Sequence, residues 1–247
     1  MRWINKQIQP LSLTQFLTAN EPLGVNLDYK KGFQRKGQLL DELRAEQFQL
    51  CGYTGTPLDT PRLSQVQGPQ GMIFCAHVEH VKSQAACKHE QIARGETPGT
   101  IAGEDVDFRN VIAALEVRGT EAERFGAVVR ELDVVPLPPT LSACETDYLY
   151  LETGDVVAHS PAAEQTIADL RLNHDTLALW RLGAMDGLLP EREQTPPAEL
   201  QALIQSMRQP ATGALPEFAF VIAQLARDYL AMQQAAHAQP PASPHAP

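Results

Sequence analysis

Met72-Ile73-Phe74-Cys75-Ala76-His77-Val78-Glu79-His80-Val81 is the stretch whose reading decides the fold. It is short, apolar and rich in β-branched residues, so it predicts a strand over 72–81. Two imidazoles and a carboxylate interrupt it, an unusual load for a buried strand. Alternation puts Val78 and His80 on one face and His77 and Glu79 on the other. Turn residues crowd 52–72, and the polar, Gly- and Pro-containing stretch 83–105 reads as a long loop, a length that in compact domains usually carries function. Asp107-Phe-Arg-Asn110 then leads into a second apolar run, Val111-Ile-Ala-Ala-Leu115. Thr120 caps an expected helix over 121–130, with acids at its start and Arg130 at its end to suit the helix dipole.

Outward from this centre the chain reads as helical. Pro10 precedes a short helix, and Gln38 to Cys51 spaces Leu39, Leu40, Leu43 and Phe48 for an amphipathic one that stops at Cys51-Gly52. Asp147 to Val157 predicts a hairpin turning at Thr153-Gly154-Asp155. Helices are expected over 162–172, 176–185, 197–207 and 216–234, with a break at Asn173-His174. Residues from Ala235 onward form a Pro/Ala tail with nothing to bury, expected to be disordered. The expected class is α+β: a helical N-terminal segment over 1–50, a central domain over 51–158, a helical region over 159–234 and a tail over 235–247.

The 247 residues suffice for one well-buried core, and 43% hydrophobic content with a mean hydropathy of -0.24 is ordinary for a water-soluble protein. No apolar run approaches the ~20 residues that cross a bilayer, and the N-terminus lacks the apolar core of a signal peptide. A cytoplasmic address is expected, with no membrane partner. Cys51, Cys75, Cys87 and Cys144 form no CxxC pair, so they read as free thiols in a reducing compartment. The net charge of -10 argues against autonomous nucleic-acid binding. The basic run Tyr29-Lys30-Lys31-Gly32-Phe33-Gln34-Arg35-Lys36 reads as a solvated loop.

The chemistry concentrates at His77, Glu79, His80 and Asn110. Phosphodiester hydrolysis needs a water made nucleophilic, which a neutral imidazole achieves as general base. It also needs a divalent cation at the phosphate, for which a carboxylate and an imidazole are ligands. An amide fixes the imidazole's orientation. The expected catalytic residues are therefore His80 and Asn110, and the expected metal ligands are Glu79 and His77. A chance cluster of satisfied polar residues is the alternative.

The order strand, loop, Asp-x-x-Asn, strand, helix is that of a ββα-metal (HNH) unit. From Arg2 to about Leu189 the chain resembles the HNH subunits of Septu-type anti-phage systems and their retron-associated relatives (PtuB-like proteins). The likeness rests on Leu43-Arg-Ala-Glu-Gln-Phe-Gln-Leu-Cys51-Gly-Tyr-Thr-Gly, His77-Val-Glu-His80-Val-Lys-Ser-Gln, Glu104-Asp-Val-Asp-Phe-Arg-Asn110, Val135-Pro-Leu-Pro-Pro, Cys144-Glu-Thr-Asp-Tyr-Leu-Tyr and Thr166-Ile-Ala-Asp-Leu-Arg-Leu-Asn173-His. The resemblance implies an HNH core within helical additions and Mg²⁺- or Mn²⁺-dependent cleavage of DNA in phage defence. It also implies an ABC/SMC-like ATPase partner (PtuA-like) that helps grip the nucleic acid, and in retron systems a reverse transcriptase with its RNA/DNA. Cleavage of RNA such as tRNA, or a non-catalytic partner-binding role, are the alternatives.

The sequence departs from that pattern in two places. Such proteins often hold a structural zinc with two CxxC pairs; here Cys51 is followed by Thr54, and Ala122 and Phe125 stand where the later pair falls. A structural zinc is therefore not expected, and packing that includes Phe125 should replace it. The third motif position falls on Gly126, leaving the remaining metal ligand open among His77, Glu121 and Glu123. His89 reads as solvated in the long loop and His174 as a cation at a helix end; His159, His237 and His245 draw no role.

Overall fold

Val111–Arg118 (β2) is buried at nearly every position, which requires cover on both faces and both edges. On one edge it pairs antiparallel with Ile73–His80 (β1), in a register running from Ile73 opposite Arg118 to His80 opposite Val111. On the other edge the segment after the helix Lys36–Glu46 supplies partners that a strand would otherwise give. The Gln47 amide accepts from Ala113 N–H at 2.7 Å and donates to Ala113 C=O at 2.8 Å. Gly52 N–H donates to the same carbonyl, and Leu115 N–H donates to Cys51 Sγ at 3.2 Å. An exposed edge of this apolar strand would be a template for aggregation; it is closed by one buried amide and one thiol.

This arrangement is that of a computed structural model, which describes residues 1–58, 73–210 and 212–238. In chain order, α1 is Leu11–Asn20, α2 Lys36–Glu46, β1 and β2 as above with α3 (Gln84–Ala93) between them, β3 Tyr148–Tyr150, β4 Val156–Ala158, α4 Pro161–Asp169, α5 Asp175–Leu188, α6 Pro197–Ser206 and α7 Ala219–Ala238. The class is α+β, with two small antiparallel sheets, β1–β2 and β3–β4. The α7 residues Val221, Ile222, Leu225, Ala226 and Tyr229 enter the core at helical spacing, and α6 packs along that helix. Among the described residues no helix is long and apolar enough to cross a membrane.

Most expected elements form near their expected bounds, and two differ. The stretch 83–105 contains α3, capped by Ser83 Oγ accepting from Ala86 N–H at 3.0 Å. The helix expected over 121–130 is replaced by two 3₁₀ turns, Glu121–Glu123 and Gly126–Val129. Thr120 and Glu123 do form a reciprocal cap. The helix fails because Phe125 is drawn fully into the core and Gly126 adopts φ +75° while its N–H bonds Leu170 C=O. No α-helix therefore follows β2 before α4. Of the tail expected from Ala235, residues through 238 continue α7, and 239–247, including His245, lie outside the described residues, as do 59–72 of the turn-rich stretch.

The β3–β4 hairpin turns at Gly154, with φ +87°. An added Cβ there would stand 2.1 Å from the Ala178 carbonyl oxygen on α5. The Gly154 carbonyl also accepts from Arg181 Nη1 at 3.0 Å, and Arg181 is buried. Gly154→Ala thus combines a left-handed backbone with a backbone collision. It is expected to lower stability by about 2–4 kcal/mol, read as a lower urea midpoint with the secondary-structure spectrum retained.

Candidate functional site

His80 ends β1, and its ring is almost wholly buried, at 4% exposure. Its Nε2 stands 2.9 Å from the Asp105 carbonyl oxygen. A carbonyl only accepts, so Nε2 carries the hydrogen and Nδ1 carries the lone pair. Among the described residues Nδ1 has the Gln84 amide nitrogen as its one hydrogen-bond neighbour, at a long 3.5 Å. Gln84 opens α3 and is half-buried. The Tyr29 ring meets the imidazole edge-on, with centroids 4.5 Å apart and planes at 80°. Asp105 sets both contacts: its buried carboxylate accepts Tyr29 N–H at 2.9 Å while its carbonyl takes the imidazole hydrogen.

Burial pushes the His80 pKa below its usual value, partly opposed by the Asp105 hydrogen bond and the charge of Glu79. Near neutrality the folded ring is uncharged. An unfolded imidazole takes up its proton near pH 6.5, so the unfolded state binds more protons as pH falls through that value. Stability from this group is full above about pH 6.5 and is lost as pH falls toward the lower folded value. The urea midpoint should accordingly fall more between pH 7.5 and 5.5 for the wild type than for His80→Gln; equal losses would show that this ring does not set the slope.

Asn110 closes the β1–β2 unit. Its Oδ1 accepts Lys82 N–H at 2.7 Å, and its Nδ2 lies 3.1 Å from Lys82 C=O, 3.0 Å from Glu104 C=O and 3.5 Å from Cys87 Sγ. It thereby ties the end of β1 to the segment carrying Asp105. The amide expected beside the imidazole instead bonds the Glu104 carbonyl, one residue before the Asp105 carbonyl that takes the imidazole hydrogen. Burial raises the Cys87 thiol to about 11, which keeps it protonated beside the amide.

Glu79 and His77 share the opposite face of the strand. Glu79 Oε1 lies 3.0 Å from Arg130 Nη1 and its Oε2 lies 3.4 Å from His77 Nε2. The guanidinium also donates to the His80 and Val81 carbonyls at 2.6 and 3.0 Å. It is off the hydrogen-bonding line to Glu79, which leaves Oε1 without a hydrogen-bond partner among the described residues; His77 Nδ1 also lacks one there. The carboxylate is thus held by charge, with one oxygen geometrically unsatisfied.

These donors do not fit a divalent cation as they stand. Glu79 is neutralised by Arg130, His80 Nε2 is taken by a carbonyl, and Asn110 is committed to backbone groups. Among the described residues no group of three His, Cys, Asp or Glu side chains is placed to hold a metal. Glu121 and Glu123 lie on an exposed turn, where Glu123 serves the Thr120 cap. Where the CxxC pairs of the resembled family fall, Thr54 Oγ1 bonds Thr56 Oγ1 at 2.8 Å, its methyl lies 3.7 Å from the position of a Cβ on Gly126, and Phe125 packs against His174 and Trp180.

His174 corrects an expectation. It caps the N-terminus of α5, Nδ1 accepting Thr176 N–H at 3.2 Å and Nε2 donating to Ala122 C=O at 2.9 Å. The ring thus accepts from one backbone group and donates to another at the start of α5. His89 lies on α3 rather than in a loop and is exposed, as is His159. The basic run is not wholly solvated: Tyr29 and Phe33 are buried and anchor it.

Sequence reasoning missed Asp105, Gln84, Tyr29 and Arg130. A backbone carbonyl has no side-chain signature, and Arg130 reaches Glu79 from 51 positions away. The nearest available signal was the pair of aromatics set into the basic run. No protein-family model matches the chain, and no curated protein matches it.

Proposed function

We propose that the chain is a nuclease subunit that hydrolyses phosphodiester bonds, with His80 Nδ1 as the general base. The observation that carries this reading is the Nε2···O=C contact to Asp105 within a buried pocket. It presents a neutral ring with its lone pair on Nδ1, held in one orientation, and such a ring can take a proton from an attacking water near pH 7. Rotation of the Gln84 side chain would uncover Nδ1. Asn110 and Asp105 act as positioning residues. Hydrolysis also calls for positive charge at the phosphoryl oxygens; Glu79, paired with Arg130, offers a cation no place as it stands, so only the base is assigned.

The wider reading follows the resemblance: DNA as substrate, an HNH-type core, a cytoplasmic address, and an ABC/SMC-like ATPase partner in phage defence. The net charge of -10 supports the dependence on a partner, since phosphate binding by this chain alone is electrostatically opposed. A second reading, a non-catalytic partner-binding subunit, is favoured by the packing of Tyr29 on His80 and by the Glu79–Arg130 pair.

The test is cleavage of plasmid DNA and of total tRNA by the chain alone and by the chain co-purified with the ATPase encoded beside it, with Mg²⁺ or Mn²⁺ supplied. Plasmid cutting that is lost in His80→Ala supports the first reading, and tRNA cutting moves the substrate to RNA. Absence of cutting by a folded complex, on both substrates, leaves the binding role.

A further inference from the structure

A second cleft shares no residue with the His80 site. It has a volume of about 310 Å³ and lies between the start of the chain, the β3 sheet and one face of α7, where Phe220, Ala223, Gln224 and Arg227 follow one another at helical spacing. A neighbouring cleft of about 480 Å³ continues it past Trp3 and Phe48. Arg2, Glu145 and Arg208 line both.

The charge in this place runs against the rest of the molecule. Three guanidiniums, of Arg2, Arg208 and Arg227, face one carboxylate among the cleft's lining groups, that of Glu145. Among the described residues none of the three has a carboxylate within 4.0 Å, although eight arginine–carboxylate pairs occur elsewhere among them. Glu46, in the neighbouring cleft, is already paired with Lys6. The Met1 amine is buried, donates to the Tyr150 hydroxyl, and is pushed down to about 5, so it adds no charge near neutrality. Asp228 acts on Arg227 from outside the lining.

Arg2 is half-buried and lies over the Phe48 ring at 4.4 Å, so its flat face is covered while its edge donors have no carboxylate partner among the described residues. Arg208 and Arg227 are exposed, and the Arg227 pKa is lowered first by partial burial of its guanidinium and then by the charge of Arg208. Holding like charges together around a partly dry cleft is unfavourable without a counter-charge. Forked guanidinium donors match phosphate oxygens better than they match a single carboxylate.

We propose that this cleft binds a phosphate-bearing small molecule of nucleotide size. The three arginines clamp its phosphates, and the aromatic ring of Phe220 flanks the remainder. The volume of about 310 Å³ lies at the small end of the range for small-molecule sites. The assignment does not depend on nuclease activity.

The experiment is calorimetric titration of the full chain with ATP, inorganic pyrophosphate and adenosine, alongside a single-stranded oligonucleotide as competitor. ATP and pyrophosphate are expected to bind, with adenosine at least about 10-fold weaker. Arg208→Gln and Arg227→Gln, both at exposed positions, are each expected to weaken ATP about 10-fold, the loss of one charge-assisted contact, with the thermal midpoint of the free protein unchanged. Absence of ATP and pyrophosphate binding overturns the proposal, as does equal affinity for adenosine or equal affinity in both variants. An oligonucleotide that displaces ATP at about 10-fold lower concentration through the same arginines also overturns it, making the cleft a nucleic-acid contact.

Discussion

If the chain is the proposed nuclease, His80→Ala in complex with the proposed ATPase partner is expected to cleave about 10²–10⁴-fold more slowly than wild type, the usual contribution of a positioned general base. The expectation follows from the ring's state. It is uncharged because it is buried, and it is fixed in one tautomer because the Asp105 carbonyl takes the Nε2 hydrogen. Alanine also removes a ring packed against Tyr29, so a loss of rate alone is ambiguous. His80→Gln separates the two causes. Its amide nitrogen can donate to the same carbonyl, but it has no basic lone pair. If the ring is the base, His80→Gln is as slow as His80→Ala while remaining close to wild type in stability. A His80→Gln protein that cuts at the wild-type rate would leave the imidazole a purely structural role.

Asn110→Ala should be the most damaging single change to the folded unit around the site. The amide meets an N–H and a C=O of Lys82 and the C=O of Glu104, all near the junction of β1, α3 and β2. Removing it strands these backbone groups where Asn110 itself is only 8% exposed. Unsatisfied buried groups cost about 1–3 kcal/mol each, and partial relaxation brings the expected total to about 3 kcal/mol. Asn110→Asp is no remedy, because it keeps the acceptor for Lys82 N–H but sets a charge against two carbonyls. Urea unfolding of both variants measures this, and a loss under about 1 kcal/mol would mean that the segment carrying Asp105 is held by something else.

Much of the fold could be read from pattern. The apolar runs at 73–80 and 111–118 are strands because nearly every position of β2 is buried, and the Thr153-Gly154-Asp155 turn announces the β3–β4 hairpin. The segment containing α3 was hidden by its composition: Lys88, His89 and Glu90 look like loop, and Gly95, Pro98 and Gly99 follow closely. The one positive signal was Ser83, three residues before the Ala86 N–H that it caps. The failure at 121–130 is instructive in the other direction. A good cap and well-placed charges predicted a helix, yet the demand of Phe125 for the core and the positive φ of Gly126 overrode them.

The wiring around the chosen residues was not legible in the sequence. His77 and Glu79 meet on one face of β1, while His80 and Asn110 bond separate backbone groups. What each one touches depends on backbone carbonyls and on Arg130 and Tyr29, which reach it from distant segments. The pairing of Glu79 with Arg130 is the consequential case, since it converts an expected ligand into half of an ion pair. The carboxylate is 13% and the guanidinium 10% exposed, so the pair is shielded from solvent screening and the exchange of Arg130 for a cation is correspondingly opposed.

The most direct measurement is a long-range nitrogen-15 correlation spectrum of histidine-labelled protein, with the His80 signals assigned by comparison with His80→Gln and followed through a pH titration. The expected result is a neutral ring at pH 7 with hydrogen on Nε2 and none on Nδ1, titrating below pH 6.5. Hydrogen on Nδ1, or a ring still charged at pH 7, would contradict the account, because the atom assigned to accept the proton from water would already hold one.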